Sequence, residues 1–166
     1  HDLPRNEVYP VDLGQLPTLC GAASGTITLT TGEITIAQND LTLRGPSAEH
    51  AVTISGGGAS RVLKHMGAGT LTIDALRIAN GYYHAAGAAF GGCIESEGIS
   101  IELDKVTVND CIALSDTAYA RGGGIFALHQ VALVRSSISG NQAIAPMGRG
   151  LGGGIHADNI SAKYSS

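Results

Sequence analysis

The sequence contains no tryptophan and few charged residues, and these absences exclude several classes of protein. Only 14% of the 166 residues are charged, so uncharged Ser, Thr and Asn side chains must cover much of the surface. The formal net charge is -4 and no block of Lys or Arg occurs, which argues against nucleic acid or an anionic membrane surface as a partner. No apolar run approaches the roughly 18 residues of a membrane-spanning helix. We therefore expect neither nucleic-acid binding nor a membrane span in this chain.

Cysteine is also scarce, and its number leaves the disulfide state open. Cys20, Cys93 and Cys111 allow one disulfide and one free thiol, or three buried thiols. Cys93 and Cys111 both lie at the base of a long predicted loop, so a structural pair and a small buried hydrophobe are both consistent with their positions. The six histidines show no His-x-His or His-x-x-x-His spacing, so we predict no metal site and no cofactor.

What the sequence does contain is glycine, with 24 residues, several of them in a long-period repeat. The first element of that repeat occurs three times, with its isoleucines 31 and then 30 residues apart: Gly91-Gly92-Cys93-Ile94, Gly122-Gly123-Gly124-Ile125 and Gly152-Gly153-Gly154-Ile155. No strand-to-helix transition follows these glycines, so they do not indicate a phosphate-binding loop. They indicate a recurring corner that needs positive φ or a close approach of two backbones.

Two further columns of the repeat alternate apolar and polar residues, which is typical of strands with one buried face. One column contains Leu41-Thr42-Leu43, Leu71-Thr72-Ile73, Ile101-Glu102-Leu103, Val131-Ala132-Leu133 and Ile160-Ser161-Ala162. The other contains Leu76-Arg77-Ile78, Val106-Thr107-Val108 and Ser136-Ser137-Ile138. A unit of about 30 residues cannot bury its apolar face alone, so the units must stack.

The repeat predicts an all-β fold: a single-stranded right-handed parallel β-helix, or β-solenoid, with about 30 residues per coil and four to six coils. A propeller blade needs about 40 residues and four antiparallel strands, which the period does not allow. Leucine-rich repeats have a shorter period, and the calcium-binding nonapeptide requires an Asp that these glycine runs lack. A β-sandwich of regular hairpins is the remaining alternative.

The order of these motifs resembles a known group of proteins. Ile27-Thr28-Leu29, Leu41-Thr42-Leu43-Arg44-Gly45-Pro46, the Gly-Gly-x-Ile repeats and Ser139-Gly140-Asn141-Gln142-Ala143 follow one another over residues 25–166. This series is similar to secreted parallel β-helix proteins related to polymorphic outer-membrane proteins and autotransporter passengers. The resemblance implies a bacterial protein that is secreted or exposed at the cell surface. It implies little about activity, since such scaffolds carry adhesins, polysaccharide-acting enzymes and other functions.

The two ends of the chain are expected to differ from the repeat. Residues 1–24, with three prolines, are predicted to form an irregular cap over the first coil. At the other end, Ser165-Ser166 matches Ser136-Ser137 of the preceding unit. The next residue of the repeat would be the equivalent of Ile138, so the last coil of residues 25–166 is incomplete. An incomplete coil leaves open strand edges. We therefore expect either a longer natural protein or a homodimer through the C-terminal coil.

Three long connections between the second strand column and the glycine corner are the first candidates for a binding site, because loops carry what varies on a repetitive scaffold. They span residues 81–91, 111–122 and 141–152 and are expected to lie side by side. Their aromatic and charged side chains suit a sugar or peptide ligand: Tyr82, Tyr83, His84, Asp116, Tyr119, Arg121 and Arg149. The alternative is that the rings cover the edge of the coil and the charges are solvated.

Carboxylates are the candidates for catalysis. Asp74 and Asp104 occupy the same repeat position, so stacking would bring them together as an acid and base pair. Lys105 and Arg135 follow one position later and would neutralise them instead. Asp110 is a third candidate along the same groove.

Two functions follow as hypotheses. The first is an extracellular binding or structural module, adhesin-like, that recognises carbohydrate or another cell-surface polymer through the three connections. The second is a glycoside hydrolase or lyase that acts on a polysaccharide with carboxylates along a groove. A spacer stalk is the third and simplest possibility.

Overall fold

The computed structural model describes the backbone of residues 9–12 and the whole of residues 25–49 and 51–166, and these residues form strands and turns without a helix. The predicted all-β solenoid is confirmed, with about five turns of parallel strands stacked about 30 residues apart. Most of the predicted N-terminal cap, including Cys20, lies outside the described residues. The cap therefore stays a prediction.

The strands are short and follow one another around each coil. The first two coils contain β1 (Tyr9–Asp12), β2 (Thr26–Thr28), β3 (Ile34–Ile36), β4 (Leu41–Arg44), β5 (Val52–Ser55) and β6 (Leu63–His65). The third contains β7 (Thr70–Asp74), β8 (Leu76–Ala79), β9 (Tyr82–Ala85), β10 (Ala89–Phe90) and β11 (Ile94–Ser96). The fourth contains β12 (Ser100–Asp104), β13 (Thr107–Asn109), β14 (Ile112–Ser115), β15 (Tyr119–Arg121) and β16 (Ile125–Ala127). The fifth contains β17 (Gln130–Val134), β18 (Ser137–Ser139), β19 (Gln142–Ile144), β20 (Arg149–Leu151) and β21 (Ile155–His156), and β22 (Asn159–Lys163) begins the next coil.

Three parallel sheets form the wall of the solenoid. Sheet 1 pairs β1-β4-β7-β12-β17-β22, sheet 2 pairs β2-β5-β8-β13-β18, and sheet 3 pairs β3-β6-β11-β16-β21. The registers are those that the repeat predicted: Leu71 pairs with Ile101 in sheet 1, and Ile94 pairs with Ile125 in sheet 3. A register shift by one residue would turn every buried side chain outward, so the apolar columns hold the coils in place.

The core is a stack of equivalent side chains from successive coils. Leu71, Ile101 and Val131 lie above one another in sheet 1 and are fully buried. Ile94 and Ile125 do the same in sheet 3. Burial of one such side chain stabilises the fold by about 1.5–3 kcal/mol, so most of the stability of a coil comes from its neighbours.

Each coil turns at corners where the backbone has positive φ. The corner between sheets 1 and 2 contains, in successive coils, Ala75 (53°), Lys105 (55°), Arg135 (48°) and Tyr164 (54°). Such angles are uncommon for residues with a side chain, and they are tolerated here because the neighbouring coils turn in the same way. The predicted glycine corner is present as well, with Gly91, Gly122 and Gly152 at φ 59°, 62° and 62°.

The three long connections, which we predicted as loops, contain strands. Residues 81–91, 111–122 and 141–152, together called the arm, form two three-stranded parallel sheets: sheet 4 (β9-β14-β19) and sheet 5 (β10-β15-β20). A small core of Ala89, Ala113 and Ala120 holds the two sheets together. Alanine permits this because its short side chain lets two sheets approach closely.

A disulfide between Cys93 and Cys111 closes the neck of the arm. It joins the end of one arm segment to the start of the next, and both cysteines are fully buried. One coil further on, Asn141 lies at the same place, where its side chain accepts a hydrogen bond from the Cys111 N–H and donates one to the Val108 carbonyl. The sequence left this pairing open, and the stacking of the coils decides it.

We expect the variant Cys93→Ala/Cys111→Ala to lose about 3 kcal/mol of unfolding free energy, because the disulfide restrains a segment of 18 residues in the unfolded chain. Guanidinium denaturation measures the loss, and non-reducing peptide mapping detects the Cys93–Cys111 linkage. Reduced wild type is the control and should unfold at a midpoint close to that of the variant. Equal midpoints for oxidised wild type and the variant would contradict a structural role.

Candidate functional site

The outer face of sheet 3 meets the returning strands of the arm along a line of contacts that we call the seam. On the wall, Lys64, Glu95, Phe126 and His156 occupy one register column in successive coils. They point outward because strand side chains alternate and the residues on either side of each belong to the core. On the arm, Phe90 pairs in register with Arg121 and Arg121 with Leu151, and these three form the facing column of the seam.

Aromatic rings form the middle of the seam. The Phe90 ring centre lies 4.6 Å from that of Phe126 and 6.0 Å from that of Tyr119. The His156 ring stacks on Phe126 at 5.8 Å with nearly parallel planes. The rings of Phe90, Phe126 and His156 are half-buried, and Tyr119 is 39% exposed. The seam therefore keeps apolar ring surface in contact with solvent.

A buried arginine closes one end of the seam. Arg61 is only 1% exposed, and its guanidinium contacts the carboxylates of Glu33 and Glu95 at 2.7 Å each. It also donates hydrogen bonds of 2.7 and 2.8 Å to the carbonyl oxygens of Phe90 and Gly91. Because β10 is the edge strand of sheet 5, Arg61 supplies the donors that a further strand would supply.

Arg61 also joins the two arm sheets. Its guanidinium lies 3.8 Å from the centre of the Tyr83 ring, and Tyr83 belongs to β9 at the edge of sheet 4. Our sequence analysis did not identify Arg61. The available signal was its place in the repeat. Leu63 pairs with Ile94, so Arg61 stands where the next coil has Gly92 of the glycine corner.

Two titratable groups at the wall of the seam, Glu95 and His156, have shifted pKa values. Burial raises the pKa of Glu95, while Arg61 and Lys64 act in the opposite direction. Burial together with the nearby Arg121 guanidinium lowers the pKa of His156, which therefore stacks on Phe126 as a neutral ring at pH 7. Glu95 is thus a buried carboxyl held by Arg61 and Lys64, whereas His156 presents a half-buried, uncharged polar ring on the seam.

A shallow pocket of about 390 Å³ opens at the tip of the arm, beyond the aromatic rings. Its lining is Ala118, Tyr119, Arg121, Gly148, Arg149 and Leu151. Three of the seven ligand residues that we predicted, Tyr119, Arg121 and Arg149, therefore lie together. The pocket is continuous with the seam because Arg121 and Leu151 belong to both.

The other four predicted ligand residues lie elsewhere on the arm. Tyr83 packs against the alanine core beneath Arg61. Tyr82 and His84 alternate with Tyr83 on β9 and so point to the face of sheet 4 away from that core, where His84 contacts Asp116 at 2.8 Å. The seven residues therefore belong to three places, and a ligand role for those outside the pocket stays a prediction.

The candidate catalytic carboxylates are engaged in ion pairs along the corner between sheets 1 and 2. Asp74 and Asp104 are register partners, as predicted. Asp104 contacts Arg135 at 2.7 Å and Lys105 at 3.6 Å, and Asp74 contacts Arg44 at 3.2 Å. The hydrogen bonds from Arg135 hold the pKa of Asp104 below its usual value, which keeps this carboxylate ionised. A general acid needs the opposite shift.

Asp110 occupies a corner position. Its φ is 56°, and the equivalent residues in the neighbouring coils, Asn80 and Gly140, have φ of 51° and 66°. Asp, Asn and Gly are the residues that tolerate this conformation best. The backbone requirement thus accounts for Asp110 without a catalytic role, and catalysis by the three aspartates stays a prediction.

A histidine and a serine lie in hydrogen-bond contact inside the core. The Nε2 of His65 donates to the Gln38 and Asn39 carbonyls, and its Nδ1 lies 2.8 Å from the Ser96 hydroxyl. Both residues are fully buried. The pair satisfies polar groups within the wall and is closed to substrate.

Within the described part of the chain, no group of three or more His, Cys, Asp and Glu side chains could hold a metal ion. The same residues include no helix long and apolar enough to cross a membrane. Comparisons of the chain with protein-family models, curated proteins and solved structures find no match. Functional conclusions about this protein therefore rest on the geometry of the seam and its pocket.

We expect Arg61→Met to lower the free energy of unfolding by about 3–5 kcal/mol, because it removes the buried cation from the Glu33 and Glu95 carboxylates and the donors from the Phe90 and Gly91 carbonyls. Arg135→Met is the matched control: it removes an exposed ion pair and should cost less than about 1 kcal/mol. Urea denaturation measures both variants, and hydrogen exchange should show faster exchange in the arm of Arg61→Met only. Equal losses in the two variants would contradict the role of Arg61 as the closing group of the arm.

Proposed function

We propose that this protein is an extracellular, adhesin-like β-solenoid module that binds a carbohydrate polymer along the seam. The observation that carries the proposal is the row of partly exposed rings of Phe90, Phe126 and Tyr119 between charged groups at both ends. Sugar rings bind to such surfaces because their C–H faces pack on aromatic rings while their hydroxyl groups bond to neighbouring polar side chains.

The shape of the seam favours an extended ligand. Lys64, Glu95, Phe126 and His156 come from four successive coils, and adjacent coils in a parallel sheet are about 4.8 Å apart. A ligand along the seam can therefore contact several coils in succession. A polymer with a short repeat suits that arrangement better than a compact small molecule.

We favour binding over catalysis because the aspartates proposed for acid and base roles are held by cations. Asp104 is bound by Arg135 and Lys105, and Asp74 by Arg44. One observation favours the alternative, a polysaccharide-acting enzyme: burial raises the pKa of Glu95, and this carboxyl lies on the seam itself. Its ion pairs with Arg61 and Lys64 point instead to a structural role.

The disulfide supports the extracellular part of the proposal. Disulfides such as Cys93–Cys111 persist in oxidising compartments and are rare in the cytosol. The low content of charged residues and the resemblance to autotransporter passengers agree with a role at a bacterial cell surface.

The proposal includes a homodimer through the last coil. β22 is an edge strand of sheet 1, and all five of its residues are exposed. β22 itself contains Ile160, which is 52% exposed, and Tyr164, directly after the strand, is 80% exposed. An exposed edge of this kind pairs readily with another strand.

We expect light scattering to give about twice the monomer mass of 16.8 kDa, with Ile160→Lys lowering it to the monomer value. The charge disrupts an apolar contact at the edge strand. Ile99→Lys, at an exposed isoleucine near β12, is the control and should leave the mass unchanged. A monomer at every concentration would contradict the dimer.

We expect Phe126→Ala to weaken binding of the recognised glycan about tenfold, because the loss of one stacked ring costs about 1.4 kcal/mol. A panel of immobilised neutral and acidic polysaccharides identifies the ligand, and calorimetry with the matching oligosaccharide measures the affinity. Ile99→Ala, which removes an exposed apolar side chain outside the seam and the arm, is the control and should bind like wild type.

The same panel tests for turnover by the release of reducing ends or unsaturated products. No binding to any polymer would contradict the proposal. Product release that disappears in Asp74→Asn or Asp104→Asn would establish the enzymatic alternative.

A further inference from the structure

The pocket at the tip of the arm has a positive charge without a counter-charge. Arg121 and Arg149 are its only ionisable side chains besides Tyr119, and no carboxylate lines it. Within the described residues, neither arginine has a carboxylate within ion-pair distance, whereas Arg44 and Arg135 each have one and Arg61 has two. In a chain of net charge -4, the two arginines thus bring two unneutralised cations to one pocket.

Arg121 is also held in place and incompletely bonded. Its guanidinium lies 4.4 Å from the centre of the Tyr119 ring, which fixes its orientation. Its Nε atom is buried and has no hydrogen-bond acceptor among the described residues. Because Nε is closed to solvent, a ligand would bond to the part of the guanidinium that lines the pocket, where an anionic oxygen accepts charge-assisted hydrogen bonds.

The other residues that line the pocket indicate what kind of molecule carries the anionic group. Tyr119 and Leu151 supply an aromatic and an apolar surface beside the arginines, and both are partly exposed. An anionic group attached directly to a ring would place its charge at Arg121 and its ring on Tyr119. Arginine forms two parallel hydrogen bonds with a planar carboxylate, a geometry that lysine cannot offer.

We propose that the pocket binds the carboxylate of an acidic sugar residue, so that the polymer recognised along the seam is a uronic-acid polysaccharide. This inference rests on the proposed function and adds its ligand class. Arg121 and Arg149 hold the carboxylate, Tyr119 packs on the sugar ring, and the following sugars lie along Phe90 and Phe126.

The test compares oligogalacturonate with its fully methyl-esterified form, which has the same length and rings without the charge. Calorimetry is carried out on wild type, Arg121→Gln, Arg149→Gln and Arg77→Gln. The last variant removes an exposed arginine from sheet 2 that also lacks an ion pair among the described residues, so it controls for net charge. Circular dichroism and thermal unfolding verify that each variant is folded.

We expect Arg121→Gln to weaken oligogalacturonate binding about tenfold or more, which corresponds to the loss of one charge-assisted hydrogen-bonded pair. Arg149→Gln, at an exposed position, should weaken it about threefold, and Arg77→Gln should have no effect. Arg121→Lys should restore only part of the affinity, because it keeps the charge and loses the paired donors. The methyl ester should bind wild type about as weakly as oligogalacturonate binds Arg121→Gln.

Three results would overturn the inference. Equal affinity for the acid and its methyl ester would show that the carboxylate is not recognised. An equal effect of Arg121→Gln and Arg77→Gln would show that the pocket is not the binding site. Tighter binding of dextran sulfate than of oligogalacturonate would assign the pocket to sulfate. If neutral polymers bind and binding depends on Phe126 alone, the proposed function stands and only the acidic ligand is contradicted. No binding to any polymer would contradict both the proposed function and the acidic ligand.

Discussion

Every coil of this solenoid must turn where its neighbours turn, and the rest of the structure depends on that constraint. Parallel strands stay paired over five turns only if each coil has the same length between corners or places its extra residues outside the wall. The corner between sheets 1 and 2 meets the requirement with positive φ at Ala75, Lys105, Arg135 and Tyr164, which are unfavourable residues for that conformation. The backbone ladder and the buried columns of Leu and Ile outweigh the local cost.

The arm is a consequence of the same constraint. Residues inserted between sheet 2 and sheet 3 leave the wall at equivalent positions in three successive coils, so they stack and pair as the wall strands do. The coil below has no insertion, and the arm would end there in an open edge. Arg61 closes that edge, since its guanidinium bonds to the strand carbonyls and to two carboxylates. One buried charge thus connects the wall, both arm sheets and one end of the seam.

Charge is distributed unevenly over the finished surface. At the corner that carries Asp74 and Asp104 and at the Arg61 end of the seam, acids and bases neutralise each other within the protein. At the tip of the arm, Arg121 and Arg149 have no such partner among the described residues, while aromatic rings lie beside them. A polar polymer with a negative group is the ligand that this combination fits, which is why we place recognition there and not at the aspartates.

The sequence was enough to predict the solenoid and the register of its strands, because apolar residues at a period of about 30 can be buried only by stacking. It also indicated the place of the arm and three of the pocket residues, Tyr119, Arg121 and Arg149. The stacking of the coils in three dimensions was needed to show that the arm consists of strands, since the pairing partners are 30 residues away in the sequence. It likewise decided the Cys93–Cys111 pairing and the role of Arg61. Both depend on which side chains from different coils become neighbours, and no local sequence pattern encodes these neighbours.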